Sequence, residues 1–491
     1  MRVRSEHEAD EHRPVIRHGT QAVIGRRPGD VRVRRARPES RLVTLPVYAA
    51  RRTALHPALI SVAGFAAVIL VGTVILMLPI ASATGQATSF MDALFTATSA
   101  VCVTGLVVVD TGTYWGPFGQ AVIAALIQIG GFGFMTTATL LLLLVGRRVT
   151  IRQRLVLSEA MGGDALGSVL TVIRRLFIFT VAAELIGMIV LTSRFLDVVE
   201  PPQALWWGVF HAISAFNNAG FDLFGGFRSL LFFQEDSVVL LTIAALIIAG
   251  GISYVVLADV ARGRRMVRLE LNTKIVLTAT VVLTVLGMLA LLVSEYSNPD
   301  TLGGMPPGTR LLNAFFQSVT ARTAGFSSVN IGAMTEGGLL VLAILMFIGG
   351  ATASAAGGIK LQTFSLLFFV ILSAVRGLPE VVVFQRRVPI AEVMRALSIA
   401  LLALALVFVV SLVLEMAEAS AFLPLLFEAM SALGTVGLST GLTPETVPVS
   451  RLILIFAMFA GRLGPLTLVL ALVAREKRPH YRWPEGSVKI G

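Results

Sequence analysis

Four phenylalanine–glycine pairs, each ten residues apart and each following an apolar run of membrane length, recur along this chain. They are Phe95 and Gly105, Phe210 and Gly220, Phe315 and Gly325, and Phe427 and Gly437. The glycines lie 115, 105 and 112 residues apart. A serine stands six residues before the glycine in three copies (Ser99, Ser214, Ser431), with Val319 in the third copy. The residue after the glycine is always large and apolar: Leu106, Phe221, Phe326, Leu438. Repetition on this scale predicts one structural unit used four times. A short polar segment ended by glycine, set four times into apolar sequence, is what a pore with fourfold pseudo-symmetry requires.

Composition supports a membrane setting. Of 491 residues, 55% are hydrophobic and 14% charged, where a soluble chain carries roughly 25% charged residues. The class expected is a polytopic membrane protein. A single cysteine, Cys102, excludes a disulfide framework and a cysteine metal centre. His7, His12, His18, His56 and His480 lie in or beside basic ends, too scattered for a metal cluster; only His211 falls at membrane depth, where it reads as packed beside Phe210. No phosphate-binding G-x-x-x-x-G-K-[ST] occurs, so ATP hydrolysis is not expected. Gly130-Gly131-Phe132-Gly133 lies inside an apolar run, where small residues permit close helix packing.

The net charge of +11 is unevenly placed: residues 1–52 hold thirteen arginines against six acids. Further clusters are Arg147/Arg148/Arg152/Arg154, Arg262/Arg264/Arg265/Arg268, Arg386/Arg387 and Arg475/Lys477/Arg478. Each follows every second apolar run, as cytoplasmic ends do. This pattern predicts contact with anionic lipid rather than nucleic acid. The N-terminal stretch lacks a long apolar core, so it reads as a cytosolic, largely disordered basic arm and not as a secretory signal.

About 20 apolar residues cross a bilayer as a helix. Candidate spans are 57–80, 118–145, 170–193, 237–260, 273–294, 337–375, 393–416 and 450–473. The segments 89–100, 204–215, 310–321 and 422–432 are too short to cross and fit re-entrant helices. The expected fold is all-α, with eight transmembrane helices and four re-entrant pore loops around one pore. Its parts are an arm at 1–56, repeats at 57–146, 170–261, 272–376 and 391–474, and a cytosolic tail at 475–491. Both termini then lie in the cytoplasm. The run 337–375 would reach roughly 60 Å as one helix, twice the hydrocarbon core. It holds Gly349-Gly350 and Gly357-Gly358 around small residues that include Thr352 and Ser354, then Lys360. A broken helix with a loop at membrane depth is expected there.

A dehydrated monovalent cation needs oxygens in place of its water, and backbone carbonyls supply them without a trapping charge. Turning successive carbonyls one way needs alternating backbone conformations, which glycine permits. The expected strips are Val101, Cys102, Val103, Thr104, Gly105; Phe216, Asn217, Asn218, Ala219, Gly220; Ala321, Arg322, Thr323, Ala324, Gly325; and Leu433, Gly434, Thr435, Val436, Gly437. Asn217 and Asn218 are expected to brace their own strip. Asp110 and Asp222 follow the first two strips and could concentrate cations, although Asp110 could equally be a solvated residue. Asp92 and Glu428 read as loop anchors or cation attractors.

Thr98-Ser-Ala-Val-Cys-Val-Thr-Gly-Leu-Val-Val-Val-Asp110, Ala215-Phe-Asn-Asn-Ala-Gly-Phe-Asp222, Thr320-Ala-Arg-Thr-Ala-Gly-Phe326 and Ser431-Ala-Leu-Gly-Thr-Val-Gly-Leu-Ser-Thr440 resemble the four pore loops of the Trk/Ktr/HKT potassium-transporter superfamily. Gln128-Ile-Gly-Gly-Phe-Gly-Phe-Met-Thr136 and Gly461-Arg-Leu-Gly-Pro-Leu-Thr467 look like further signatures of that family. The resemblance covers about 57–474 and is closest to the membrane subunits of Ktr systems. It implies potassium (K+) uptake at the plasma (inner) membrane and a homodimer with one pore per protomer. It implies also a cytosolic ring that binds ATP/ADP or NAD(H), and leaves room for sodium (Na+) as activator. No cofactor is expected on this chain itself. The family's gating loop would fall on Gly349, Gly350, Thr352, Ser354, Gly357, Gly358 and Lys360. Glycine in all four strips, Gly105 included, goes with potassium selectivity; sodium-passing plant relatives often have serine in the first.

Arg462 lies in the last span, where a cation costs at least about 2.5–3.5 kcal/mol unless paired or hydrated. It reads as an electrostatic barrier or as a latch on the gating loop, the role of its family counterpart, with snorkelling as the plainer alternative. Arg322 reads as a prop for its loop. The other functions weighed are a sodium-coupled alternating-access carrier, an intramembrane enzyme and a scaffold. The carrier is disfavoured because only one helix reads as broken. The enzyme lacks a nucleophile–base constellation. A scaffold leaves the glycine turns unexplained.

Overall fold

Helix starts in this chain are set by proline and by capping side chains. Proline occupies the first turn of the helices beginning at Pro117, Pro201, Pro307 and Pro448, where its missing N–H would be unpaired anyway. Ser89, Asp236 and Thr335 cap three others by accepting hydrogen bonds from backbone N–H groups of the first turn. The computed structural model describes residues 57–133, 169–263, 265–352 and 354–464. The basic arm, Arg147, Arg148, Arg152, Arg154, Arg264, Ala353, residues 134–145 of the second span, the last residues of the eighth and the C-terminal tail lie outside the described residues.

In chain order the helices are α1 (Pro57–Leu76), α2 (Phe90–Cys102), α3 (Thr111–Tyr114), α4 (Pro117–Phe132), α5 (Val169–Phe195), α6 (Pro201–Phe216), α7 (Ser237–Gly251) and α8 (Tyr254–Gly263). There follow α9 (Leu271–Ser294), α10 (Pro307–Thr320), α11 (Glu336–Phe347), α12 (Leu361–Val375), α13 (Ile390–Ala417), α14 (Phe422–Gly434) and α15 (Pro448–Leu463). One antiparallel hairpin departs from the all-helical expectation: β1 (Val382–Val383) pairs with β2 (Arg386–Arg387) around Phe384 and Gln385, both at positive φ. It buries Val383 against α9 and α12 through Ile275, Leu366 and Phe369.

In three units a first helix, a short helix and a second helix pack on one another (α1/α2/α4, α5/α6/α7 and α13/α14/α15), and in the third unit α9 packs on both α10 and α11. The second helix of every unit then contacts the short helix of the next. Thus α4 meets α6, α7 meets α10, α11 meets α14, and α15 returns to α2. This last contact closes a ring. An ion pair seals the same seam, Arg451 Nη1 to Asp92 Oδ1 at 2.7 Å. Arg451 also donates to Thr446 O and Pro444 O.

Among the described residues three helices are long and apolar enough to cross a membrane: α5 over Thr171–Phe195, α9 and α13. Their outward side chains are apolar and exposed, as Val281, Leu286, Leu289 and Val293 on α9 and Leu401, Phe408, Leu412 and Met416 on α13 illustrate. Such surface is at home in hydrocarbon rather than water. The second helices do not run the expected length. α4 ends before Gly133 and α15 before Gly464, both glycines at positive φ. The run 337–375 breaks as expected, between Phe347 and Leu361.

The run 237–260, expected to be continuous, is also broken: α7 and α8 meet at 92°. Gly250-Gly251 weakens the helix end, Ile252 turns extended, and Ser253 Oγ accepts from Val255 N to start the next helix. Breaking of the second helix is therefore shared rather than confined to one repeat.

Asp92 and Arg451 are each about one-fifth exposed, which limits what their pair contributes. Asp92→Asn should cost about 0.5–1 kcal/mol, read as a fall of a few degrees in the thermal midpoint of purified protein in detergent. An unchanged midpoint would mean that packing alone closes the ring.

Candidate functional site

The four repeat glycines meet. A Cβ placed on Gly105 would strike Ala219 O and Gly220 Cα; on Gly220, Ala324 O and Gly325 Cα; on Gly325, Val436 O and Gly437 Cα; on Gly437, Thr104 O and Gly105 Cα. The chain of contacts returns to its start, so four backbone turns form a closed ring with no room for a side chain on any glycine. Their φ values are 90°, 70°, 79° and 95° in chain order, all left-handed.

Two residues before each glycine the backbone is left-handed as well: Val103 (φ 56°), Asn218 (60°), Thr323 (72°) and Thr435 (50°). Three of these are β-branched, for which this conformation is strongly disfavoured, at about 1–3 kcal/mol each. The residue between glycine and strained position donates its N–H back to the short helix: Thr104 to Ser99 O, Ala219 to Ser214 O, Ala324 to Thr320 O and Val436 to Ser431 O. With that N–H tied backward, the carbonyl of the same residue lies against the glycine of the preceding turn.

The expected strips begin at the ends of the short helices. Val101 and Cys102 are the last residues of α2, Phe216 ends α6, Leu433 and Gly434 end α14, and Asn217 and Ala321 cap their helices in right-handed conformation. Nothing breaks these helices until the left-handed residue arrives. The residues beyond the helix ends are the last three of the first and fourth strips, the last four of the second and all five of the third.

Side chains of the short helices hold the turns. Ser99 Oγ accepts from Gly105 N and Ser431 Oγ from Gly437 N, both at 3.0 Å. Ser214 Oγ instead donates to Phe221 O at 2.8 Å. Nine residues before glycine, His211 and Glu428 do matching work. His211 Nδ1–H donates to Trp207 O, which leaves Nε2 to accept from Leu223 N, while the ring stacks on Phe224 at 4.2 Å. Glu428 accepts from Ser439 Oγ, Thr440 N, Thr440 Oγ1 and Thr443 Oγ1. In the third copy the Gln317 side-chain oxygen, oriented by its neighbours, accepts from Ser328 N at 3.0 Å. Asp110 is a cap and a strut rather than a solvated residue: it accepts from Thr113 N, Thr113 Oγ1 and Phe227 N. Asp222 accepts from Phe224 N two residues on.

Asn217 reaches outward, not to the ring. Its Nδ2 donates to Gln128 Oε1, Ile213 O and Glu184 Oε1, and a Cβ on Gly131 would collide with this side chain. Glu184 escaped sequence reading. One acid in the apolar α5 is the kind of intramembrane charge that signals a partner. The Asn218 amide, oriented by its surroundings, donates to Ile247 O at 3.1 Å. Arg322 Nη2 donates to Thr284 Oγ1 at 2.6 Å, on α9 and away from the ring.

The break between α11 and α12 lies against strip four. Gly349 N donates to Ile359 O, and Leu361 N to Gly350 O. Thr352 N donates to Gln362 Oε1, Ser354 Oγ to Ala351 O and Lys360 Nζ to Ala356 O. A Cβ on Gly357 would meet the Thr435 side chain, and one on Gly358 would approach Gly434 O at 3.2 Å. Ala351 N and Ala355 N donate to Gly251 O and Gly250 O, carbonyls freed by the end of α7. Arg462 Nη1 donates to Ala355 O and its Nη2 to Gly130 O, on the first repeat's second helix. One guanidinium thus joins three repeats at the level of their helix breaks.

The chain matches the family model TrkH, described as cation transport protein, over residues 50–480. It is 43% identical over 428 residues to the Ktr system potassium uptake protein B of Bacillus subtilis, spanning 87% of this chain and 95% of that one. It is 37% identical over 446 residues to the potassium/sodium uptake protein NtpJ of Enterococcus hirae, spanning 90% and 98%. The crystal structure of the potassium transporter TrkH from Vibrio parahaemolyticus shares the fold at a TM-score of 0.67 over 86% of each chain, with 18% identity.

Glu428→Ala should strand the groups that its carboxyl now holds, at about 3 kcal/mol or more, whereas Glu428→Gln should keep most of the binding. Thermal midpoints of the two purified variants in detergent compare them; equal losses would mean that the carboxylate's charge and second acceptor oxygen, which glutamine lacks, are indispensable.

Proposed function

The chain belongs to the TrkH family of cation transport proteins, and on that footing we propose that it takes up potassium through the glycine ring, which acts as its selectivity filter. The observation that carries this reading is the closed contact of four left-handed glycines with their neighbours' carbonyls. Potassium sheds its water only where oxygens replace it. Thr104 O, Ala219 O, Ala324 O and Val436 O lie one residue before the glycines and border the shared space. Those four carbonyls, with others of the same strips, form the ion-binding cage. A membrane potential supplies about 2.3 kcal/mol per charge for each 100 mV, which concentrates potassium inside without fuel from this chain.

The loop 348–360 is the gate in this reading, and Arg462 is its latch rather than a bare electrostatic barrier, because two carbonyls occupy its donors. The protomer forms a homodimer at the plasma (inner) membrane with both termini cytoplasmic. A cytosolic ring binding ATP/ADP or NAD(H) sets the gate, and sodium serves as activator. Support for a further subunit is the similarity to component B of a named system; support for sodium is the relative named for both ions. The break at Ile252 and Ser253 removes one objection to an alternating-access carrier. Such carriers, however, pair their broken helices between two halves, whereas here the second helices of all four repeats end near the ring.

Potassium-dependent growth of a host stripped of its own uptake systems, with and without a regulatory ring subunit, tests the filter. Wild type should rescue growth at low potassium. Gly105→Ser and Gly220→Ser should each lower the preference for potassium over sodium at least about tenfold, a change of 1.4 kcal/mol. Rescue untouched by either serine would place selection elsewhere. Arg462→Gln should raise potassium flux in the absence of the ring subunit; flux unchanged or lower would rule out a latch.

A further inference from the structure

Arg322 is 9% exposed and makes a single hydrogen bond, from Nη2 to Thr284 Oγ1. Its Nε is buried without a partner, and no carboxylate among the described residues pairs with it. Arginine keeps its proton in proteins, so the charge is present. A buried charge without a counter-charge or full hydrogen bonding costs several kcal/mol. The guanidinium borders a small recess of about 20 Å³ between the second and third repeats, whose other polar side chains are Asn218 and Thr280. No acid lines it. Three residues before the fourth glycine, where the third repeat has Arg322, the fourth has Gly434. The recess beside Gly434, of similar size, is lined by apolar side chains and glycine only, including Phe347, Val407 and Met430. The charged wall is thus special to the third repeat.

We propose that this recess binds a small inorganic anion of the halide class, held by Arg322 Nε and Nη1 with the Thr280 hydroxyl. The enclosed space, about 20 Å³, has room for one water-sized body and so for a single halide ion. Its chemistry fits because the wall offers donors and a fixed positive charge, and nothing negative to repel the ion. Arg322 stands three residues before Gly325, so the bound anion also cancels a positive charge that would oppose potassium in the ring. This last step rests on the filter reading; the binding does not.

Purified wild type is melted in detergent at constant potassium while chloride or bromide replaces gluconate from 1 to 300 mM. The midpoint should climb and saturate, as for a ligand that binds the folded state, and the Arg322→Gln midpoint should stay flat. Bromide-soaked wild-type crystals should show an anomalous peak within hydrogen-bond reach of Arg322, a readout that needs no variant to fold. A flat wild-type titration, an equal rise in the glutamine variant, or water alone in the recess would overturn the site. In vesicles, chloride withdrawal should raise the half-saturating potassium concentration about threefold in wild type and not in Arg322→Gln. If the melts and crystals show the anion but uptake ignores it, the site stands and its coupling to the ring fails.

Discussion

Four backbones approach so closely that none of the four glycines has room for a Cβ, and the rest of the architecture serves that approach. Four strands of main chain can converge at membrane depth only if their N–H groups are satisfied elsewhere. The short helices do this: each accepts the N–H of the residue before the glycine on a carbonyl of its last turn, and in two copies a serine takes the glycine N–H too. The strained residue two before each glycine is then over-determined from both sides, which is how disfavoured backbone persists. His211, Glu428 and Gln317 fix the outgoing strand by different chemistry from nearly the same helical position.

A second requirement follows from the interrupted second helices. Each break frees carbonyls that cannot remain bare in an apolar setting. Gly250 O and Gly251 O are taken by N–H groups of the loop from the third repeat, and Gly130 O by Arg462 from the fourth. Arg462 also holds Ala355 O of that loop. Loop, guanidinium and helix ends therefore satisfy one another, and a displacement of the loop would have to unpair groups from several repeats at once. Motion at such a junction is expected to be two-state rather than gradual.

Much of this was legible in the chain. The ten-residue spacing of phenylalanine and glycine located all four turns, and the double glycines of 349–358 located the loop. The serines were visible, although not that Ser214 would donate where Ser99 and Ser431 accept. What stayed hidden was what depends on neighbours distant in sequence. Val103, Thr323 and Thr435 are poor candidates for left-handed backbone by local preference, and only the surrounding ring imposes it. The same holds for the start of each strip, because an apolar helix gives no local sign of where tertiary contacts will stop it. The break after Gly251 carried a weak signal, two glycines before Ile252 and a capping Ser253, that a high apolar content outweighed. Glu184 and Gln128, far apart in sequence, both accept from Asn217.

The repeats agree in backbone and differ in side chains, and the differences are not spread evenly. The long loop belongs to the third repeat, the arginine that holds it to the fourth, and the buried Arg322 to the third. The loop packs on the turn of the fourth repeat, through Gly357 against Thr435 and Gly358 against Gly434. A ring built from four equal units would have no distinct side. Here one sector holds the loop and the glycines it packs on, while the second repeat supplies the carbonyls that accept its N–H groups and the first repeat binds Arg462. Fourfold repetition sets the ring, and its local violation places the loop and the arginine that holds it in one sector.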